Sequence, residues 1–153
     1  MLRRLLVPVI LPIATAWVKR QQQLILAAGV PLNEEQLADA AAAGVAHPER
    51  VRLLRVNAVP SLRLRSLRAL AQKLGLLSSR TTGLTAGYGI FIRQDFWRDR
   101  ALLVHELAHT AQYERLGGIT PFLRDYLREC LVEGYPFGPL ETEAAAAARE
   151  ICG

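Results

Sequence analysis

The pentapeptide His105-Glu106-Leu107-Ala108-His109 holds two of the three histidines in the chain. Histidines four residues apart lie on one face of an α-helix, so both imidazole rings can reach a single metal ion. Glu106 flanks that face, where its carboxylate can act as a base on a water molecule bound to the ion. Gln112 continues the face, one further helical step along the chain. The spacing therefore predicts half of a metal site, carried by one helix.

The other half of the site must come from elsewhere, since a catalytic zinc ion takes three protein ligands and keeps one position open for water. His47 precedes a proline, and we interpret it as a turn residue rather than a ligand. A carboxylate from Glu141 or Glu143 can complete the set, because the alanines at 144–148 allow their helix to pack closely against the histidine helix. The two glutamates can also be explained as acidic residues that stabilise a helix N-terminus.

The sequence resembles gluzincin-type zinc metallopeptidases, most closely the minimal bacterial (minigluzincin-like) domains. The resemblance covers residues 81–150, and its motifs are His105-Glu-Leu-Ala-His109-Thr-Ala-Gln112, Gly117-Gly118, Tyr126, Gly134-Tyr135-Pro136 and Pro139-Leu-Glu141-Thr-Glu143-Ala144. It implies a zincin-like fold with this helix at its centre, a bound Zn²⁺ and the hydrolysis of a peptide or protein substrate.

The resemblance also assigns the remaining ligand. Glu141 matches the ligating glutamate of the family's Glu-x-x-Ala-Asp helix, because Ala144 then occupies the alanine position. Ala145 stands where that pattern has an acid, which orients a ligating histidine. This departure leaves Glu143 and Gln112 as alternative ligands or orienting groups.

The implied reaction needs further groups beside the metal. Zinc lowers the pKa of its bound water and polarises the scissile carbonyl, while Glu106 accepts the water proton and passes it to the leaving amine. Tyr135 is the candidate donor to the oxyanion, with Tyr126 as a second candidate. The segment Gly89–Arg93 is expected to be a strand. It is either the sheet edge that pairs with an extended substrate or an ordinary core strand.

Hydrophobic periodicity and capping residues predict an α+β domain, mostly helical with a short sheet. Residues 1–28 are expected to form an N-terminal apolar, helical segment, 29–80 a helical accessory portion of the same domain, and 81–153 the metal-binding core. The expected helices are Trp17–Ala28, Asn33–Gly44 with Gln36 as capping-box partner, Ser61–Leu74 stopped by Gly75, Arg98–Leu116, a helix capped by Thr120 and ended by Gly134, and Pro139–Ile151; the expected strands are Val51–Val56 and Ile90–Arg93.

Charge and composition narrow the class of partner. The 153 residues are 51% hydrophobic and carry a net charge of +5, almost all of it from arginines spread along the chain. Because these arginines do not cluster, we expect no specific nucleic-acid partner. Cys130 and Cys152 have no metal-ligand spacing. We expect a cytoplasmic protein.

The first residues leave more than one interpretation open. Arg3 and Arg4 precede an apolar run, 5–16, that is too short to span a bilayer. The triplet Ala14-Thr15-Ala16 resembles a signal-peptide cleavage site, and a signal peptide stays an alternative. We favour a segment that packs on the domain or contacts a membrane peripherally through residues 1–20.

Two other functions remain open. A structural zinc protein of the same fold without turnover would explain the missing acid at Ala145. A DNA-binding regulator is the other alternative, since residues 33–45 resemble the first helix and turn of a helix-turn-helix. The expected strand at 51–56 stands where a recognition helix would be required.

Overall fold

The computed structural model describes residues 2–63, 65–73 and 80–153. The α+β class expected from the sequence is confirmed. The helices are α1 (Val7–Ala28), α2 (Glu34–Ala42), α3 (Arg65–Lys73), α4 (Arg100–Leu116), α5 (Ile119–Val132) and α6 (Pro139–Cys152), with 3-10 helices at Leu2–Leu6, Pro48–Arg50 and Gln94–Phe96; the strands are β1 (Val30–Pro31), β2 (Arg52–Val56), β3 (Gly83–Ala86) and β4 (Gly89–Arg93).

The four strands form one mixed sheet in the order β1-β2-β4-β3. Strand β2 runs parallel to β4, whereas β3 folds back antiparallel onto β4. Of the two alternatives for Gly89–Arg93, a sheet edge or an ordinary core strand, the structure shows the core strand, because β4 lies between two neighbours. Its run of Ile90, Phe91 and Ile92 is buried on both faces, as the continuous apolar sequence of an interior strand requires. Strands β1 and β3 occupy the two edges of the sheet.

Local capping signals set several helix ends as expected. The Asn33 side chain accepts a hydrogen bond from Gln36 N, and the Gln36 side chain accepts one from Asn33 N, which completes the predicted capping box. Asp99 caps α4 by accepting a bond from Leu102 N. Helix α4 ends at Gly117, whose φ of +100° is a left-handed conformation that favours glycine.

Other boundaries differ from the sequence-based expectation. Helix α1 begins at Val7 rather than Trp17, because Pro8 sits in the first turn, where a helix needs no backbone donor. Pro12 is tolerated inside α1 on its exposed side. Thr120 is not a cap, since α5 already begins at Ile119, directly after Gly118. Helix α3 starts at Arg65 rather than Ser61, and its expected end at Leu74 and Gly75 lies outside the described residues.

The helices pack on both faces of the sheet and leave α4 near the centre. Ile90 and Ile92 pack with Leu103 and Leu107 of α4 on one face. On the other face Phe91 packs with α1 and α5 through residues that include Val18, Ile25 and Phe122. None of the helices in the described part of the chain has the length and apolar content needed to cross a membrane. Helix α4 therefore has the sheet on one side, α6 on another, and α5 at its end.

Candidate metal centre

Helices α4 and α6 bring two histidines and one carboxylate together. Glu141 Oε2 lies 3.1 Å from His105 Nε2, and Glu141 Oε1 lies 3.1 Å from His109 Nε2. One donor atom from each residue lies within 4.8 Å of the others. Tetrahedral ligands at about 2.0–2.2 Å from zinc are separated by roughly 3.3 Å. The two 3.1 Å distances are close to that spacing, and two imidazole nitrogens with a carboxylate oxygen are a donor set that suits a zinc ion.

The position of Glu141 follows from how α6 begins. Pro139 occupies the first turn of the helix, and Leu140 N donates a hydrogen bond to Glu129 Oε2 of α5 at 2.8 Å. Ala144 is fully buried against α4, as expected of a helix that must approach closely. The Glu129 bond fixes the first turn of α6, and the small residue lets that turn reach the histidines.

The Glu141 carboxylate is also held by Tyr126, whose hydroxyl donates to Oε1 at 2.6 Å. Burial of Glu141 would raise its pKa, but hydrogen bonds from the His105 and His109 rings outweigh that effect and hold the pKa well below its usual range. The residue is therefore ionised at neutral pH, which is the form that binds a cation. The hydroxyl of Tyr126, one of the two candidate oxyanion donors, is therefore engaged with Glu141.

Gln112 fixes the ring of His109. The Gln112 side-chain oxygen accepts a bond from His109 Nδ1 at 2.8 Å, while its amide nitrogen donates to the carbonyl oxygen of Leu140 at 2.9 Å. Because the carbonyl can only accept, the amide oxygen must face the histidine. His109 Nδ1 therefore donates to Gln112, and its Nε2 faces Glu141. Gln112 thus orients the His109 ring and ties α4 to α6.

His109 and its charged neighbours favour positive charge at this place. Burial alone would lower the pKa of His109, but the hydrogen bond to Glu141 and the negative charge of Glu106 raise the pKa above the ordinary value. The same negative groups favour a divalent cation beside the ring. The electrostatics of the site therefore suit the proposed ligand set.

Glu106 lies beside the histidines with its carboxylate anchored to β3. Thr85 donates a hydrogen bond to Glu106 Oε2 at 2.6 Å, and the carboxyl-bearing side chain is buried. A Cβ atom added to Gly83 would lie 3.0 Å from Glu106 Oε1, so glycine leaves room for the carboxylate. Strand β3 therefore sets the direction in which Glu106 points.

An open cleft of about 470 Å³ gives access to the site. Among the residues that line it are His105, Glu106, Gly83 of β3 and Ala145 of α6. Tyr135 also lines the cleft, where burial and the charge of Glu141 raise its pKa to about 12. Tyr135 therefore keeps its proton at neutral pH and can donate a hydrogen bond into the cleft.

Glu143 and His47 are not among the three clustered donors. The Glu143 carboxylate forms two hydrogen bonds with Arg115, at 2.8 and 3.0 Å, and its side chain is 50% exposed. The bonds to Arg115 lower the pKa of Glu143, and an interaction with the side chain of Gln112 lowers this pKa further. His47 is exposed and pairs with Glu49. Neither joins the His105–His109–Glu141 group found among the described residues.

Sequence reasoning missed three residues that build the site. Thr85, Gly83 and Glu129 are not among the residues that the sequence predicts for the site. Each acts on a residue at least eleven positions away in sequence, so no local spacing marks it.

Comparison with known proteins adds no functional information on these residues. The chain has no significant match among protein-family models, curated proteins or solved structures. The resemblance to gluzincins rests on the sequence motifs alone. No family assignment follows from the comparisons.

Proposed function

We propose that this protein is a zinc-dependent metallopeptidase with a zincin-like α+β fold. The observation that carries the proposal is the meeting of His105, His109 and Glu141 within 4.8 Å, with Glu106 beside them on the cleft wall. Three protein donors next to an open cleft are typical of catalytic zinc sites, whereas structural sites are closed by a fourth protein ligand. Zinc bound there would supply an activated water and polarise the carbonyl of the substrate.

The residues of the chain would divide the remaining work. Glu106, aimed by the Thr85 hydroxyl, takes the proton from the attacking water and delivers it to the leaving amine. Tyr135 donates a hydrogen bond to the oxygen that becomes negatively charged. Gln112 and Tyr126 keep His109 and Glu141 in the orientation in which each presents one donor atom.

The substrate would lie along β3 rather than along β4. Strand β3 forms the sheet edge, and its Gly83 lines the cleft beside Glu106. An extended peptide can pair with a sheet edge through main-chain hydrogen bonds, which give affinity without selecting side chains. The substrate class is therefore an unfolded or loop segment of a polypeptide.

The competing functions have less support. A purely structural zinc site does not need a cleft that reaches His105 and Glu106, since such sites are normally closed by a fourth protein ligand. A DNA-binding regulator would need a recognition helix after α2, but residues 48–50 form a 3-10 turn and Arg52–Val56 is paired in the sheet as β2. The geometry favours the peptidase over both.

The substitution Glu106→Gln tests the proposal, because it removes the base and leaves the three metal donors. We expect zinc content to stay at one equivalent while hydrolysis of a broad peptide library falls by about 10²–10⁴-fold. Glu143→Gln is the matched control and should change neither quantity. A wild-type chain that binds zinc but cleaves no peptide would instead establish the structural zinc protein, and one that binds no zinc would overturn both.

A further inference from the structure

The exposed side of the N-terminal helices is apolar. Leu2, Leu5, Val9 and Ile13 are 83, 68, 66 and 43% exposed, and their spacing of three or four residues places them along one side of the helices. We call these four residues the α1 stripe. The opposite side of α1 is already buried through Val7, Val18 and Ile25. Helix α1 is therefore apolar on both sides; among the described residues the stripe stays exposed, and its Ile13 also borders an apolar cavity shared with α3.

The charged residues of the segment that carries the α1 stripe are all positive. Residues 1–33 contain Arg3, Arg4, Lys19 and Arg20 but no aspartate or glutamate, and all four basic side chains are exposed. An apolar side bordered by arginine and lysine is the pattern of a helix that lies in the interface of an anionic bilayer. A second copy of this chain would bring the same positive charges together, which opposes self-association through this side.

We propose that the α1 stripe docks on the surface of an anionic lipid membrane. Leu2, Leu5, Val9 and Ile13 would enter the boundary between headgroups and acyl chains, and the adjacent Arg3 and Arg4 would contact lipid phosphates. The helix would lie along the surface rather than cross it. Docking is a property of α1 and does not require the metal.

The metal cleft lies next to this docking surface. Arg3 and Leu6 line one surface groove together with Tyr135, and Tyr135 also lines the cleft that contains His105 and Glu106. Docking would therefore hold the cleft beside the bilayer. If the proposed peptidase function holds, its substrates are polypeptide segments at a membrane surface.

Flotation of the full-length chain with lipid vesicles tests the docking. We expect binding to vesicles of phosphatidylcholine and phosphatidylglycerol in equal amounts, little binding to phosphatidylcholine alone, and weaker binding as salt screens the charges. Arg3→Gln with Arg4→Gln should reduce partitioning by about fivefold per arginine. Val9→Asn should reduce it by about tenfold.

Leu26→Asn is the matched control, since Leu26 is 41% exposed on the same helix but off the stripe. It should float like the wild type, and so should His105→Ala, which separates docking from the metal site. Equal flotation of Val9→Asn and the wild type would overturn the proposal, as would equal binding to neutral vesicles or no vesicle binding at all. A wild-type dimer that Val9→Asn converts to a monomer, with no vesicle binding, would assign the stripe to a contact between copies instead.

Discussion

The α4–α6 region and α1 depart from the usual distribution of polar and apolar residues in opposite directions. The first buries Glu106, His109, Gln112 and Glu141, whereas the second exposes large aliphatic side chains. A buried polar group without a partner costs about 1–3 kcal/mol, and here each of these four groups has one. The exposed stripe has no such compensation from the part of the chain that the structure describes. The first region thus satisfies its own polar groups, and we propose a cation for it, whereas for the second we propose an external partner.

The largest effect is expected from removing a metal ligand. Glu141→Ala deletes the carboxylate that both histidines and Tyr126 contact. Its zinc affinity should fall by more than the roughly 10–100-fold typical of losing an outer partner. Competition with a chelating dye measures this. An unchanged affinity would place the zinc outside this cluster.

A smaller loss is expected from Gln112→Leu, which keeps the volume of the side chain but removes the acceptor for His109 Nδ1 and the donor to Leu140. Zinc affinity should fall by about 10–100-fold. The same dye competition measures it, with Glu143→Gln as a nearby control that should bind zinc like the wild type. If Gln112→Leu binds zinc as tightly as that control, the orienting role of Gln112 is wrong.

Thr85→Val should affect turnover but not the metal. It removes the hydroxyl that donates to Glu106 Oε2, and a hydrogen bond to a charged group is worth about 1.5–3 kcal/mol, or tenfold or more in rate. Steady-state assays should show a lower kcat at one equivalent of zinc. Thr85→Ser keeps the hydroxyl and should retain most of the activity; equal loss in both variants would point to packing instead.

The smallest predicted effect is a difference in the free energy of unfolding between substitutions on the two sides of α1. Val18 is buried and Val9 is exposed on the same helix. Val18→Ala should lower the free energy of unfolding by about 1–2 kcal/mol, whereas Val9→Ala should change it by less than about 0.5 kcal/mol. Urea denaturation compares the two directly. Equal losses would show that the α1 stripe is covered within the chain.

Helical periodicity in the sequence was enough to predict the part of the candidate site that lies on α4. His105, His109 and Gln112 recur at helical spacing, and their placement on α4 depends only on that helix forming between Asp99 and Gly117. Glu141 was selected over Glu143 by resemblance, and the structure brings Glu141 to the histidines while Arg115 pairs with Glu143.

Long-range features could not be predicted in the same way. A strong strand pattern marks Gly89–Arg93 but carries no information about its neighbours, so the sequence left the position of β4 in the sheet open and did not predict β3 at an edge. The contacts of Thr85 with Glu106 and of Glu129 with Leu140 exist only once β3 and α5 have packed. The sequence also left open whether residues 1–20 pack on the domain or contact a membrane, because an apolar run has the same pattern in both cases.

The central claim is that His105, His109 and Glu141 bind one zinc ion. A crystal structure of the chain grown with zinc tests it most directly. We predict a single ion about 2.0–2.2 Å from His105 Nε2, His109 Nε2 and one Glu141 oxygen, with water in the fourth position. Zinc bound elsewhere, or a fourth protein ligand in place of the water, would contradict the account.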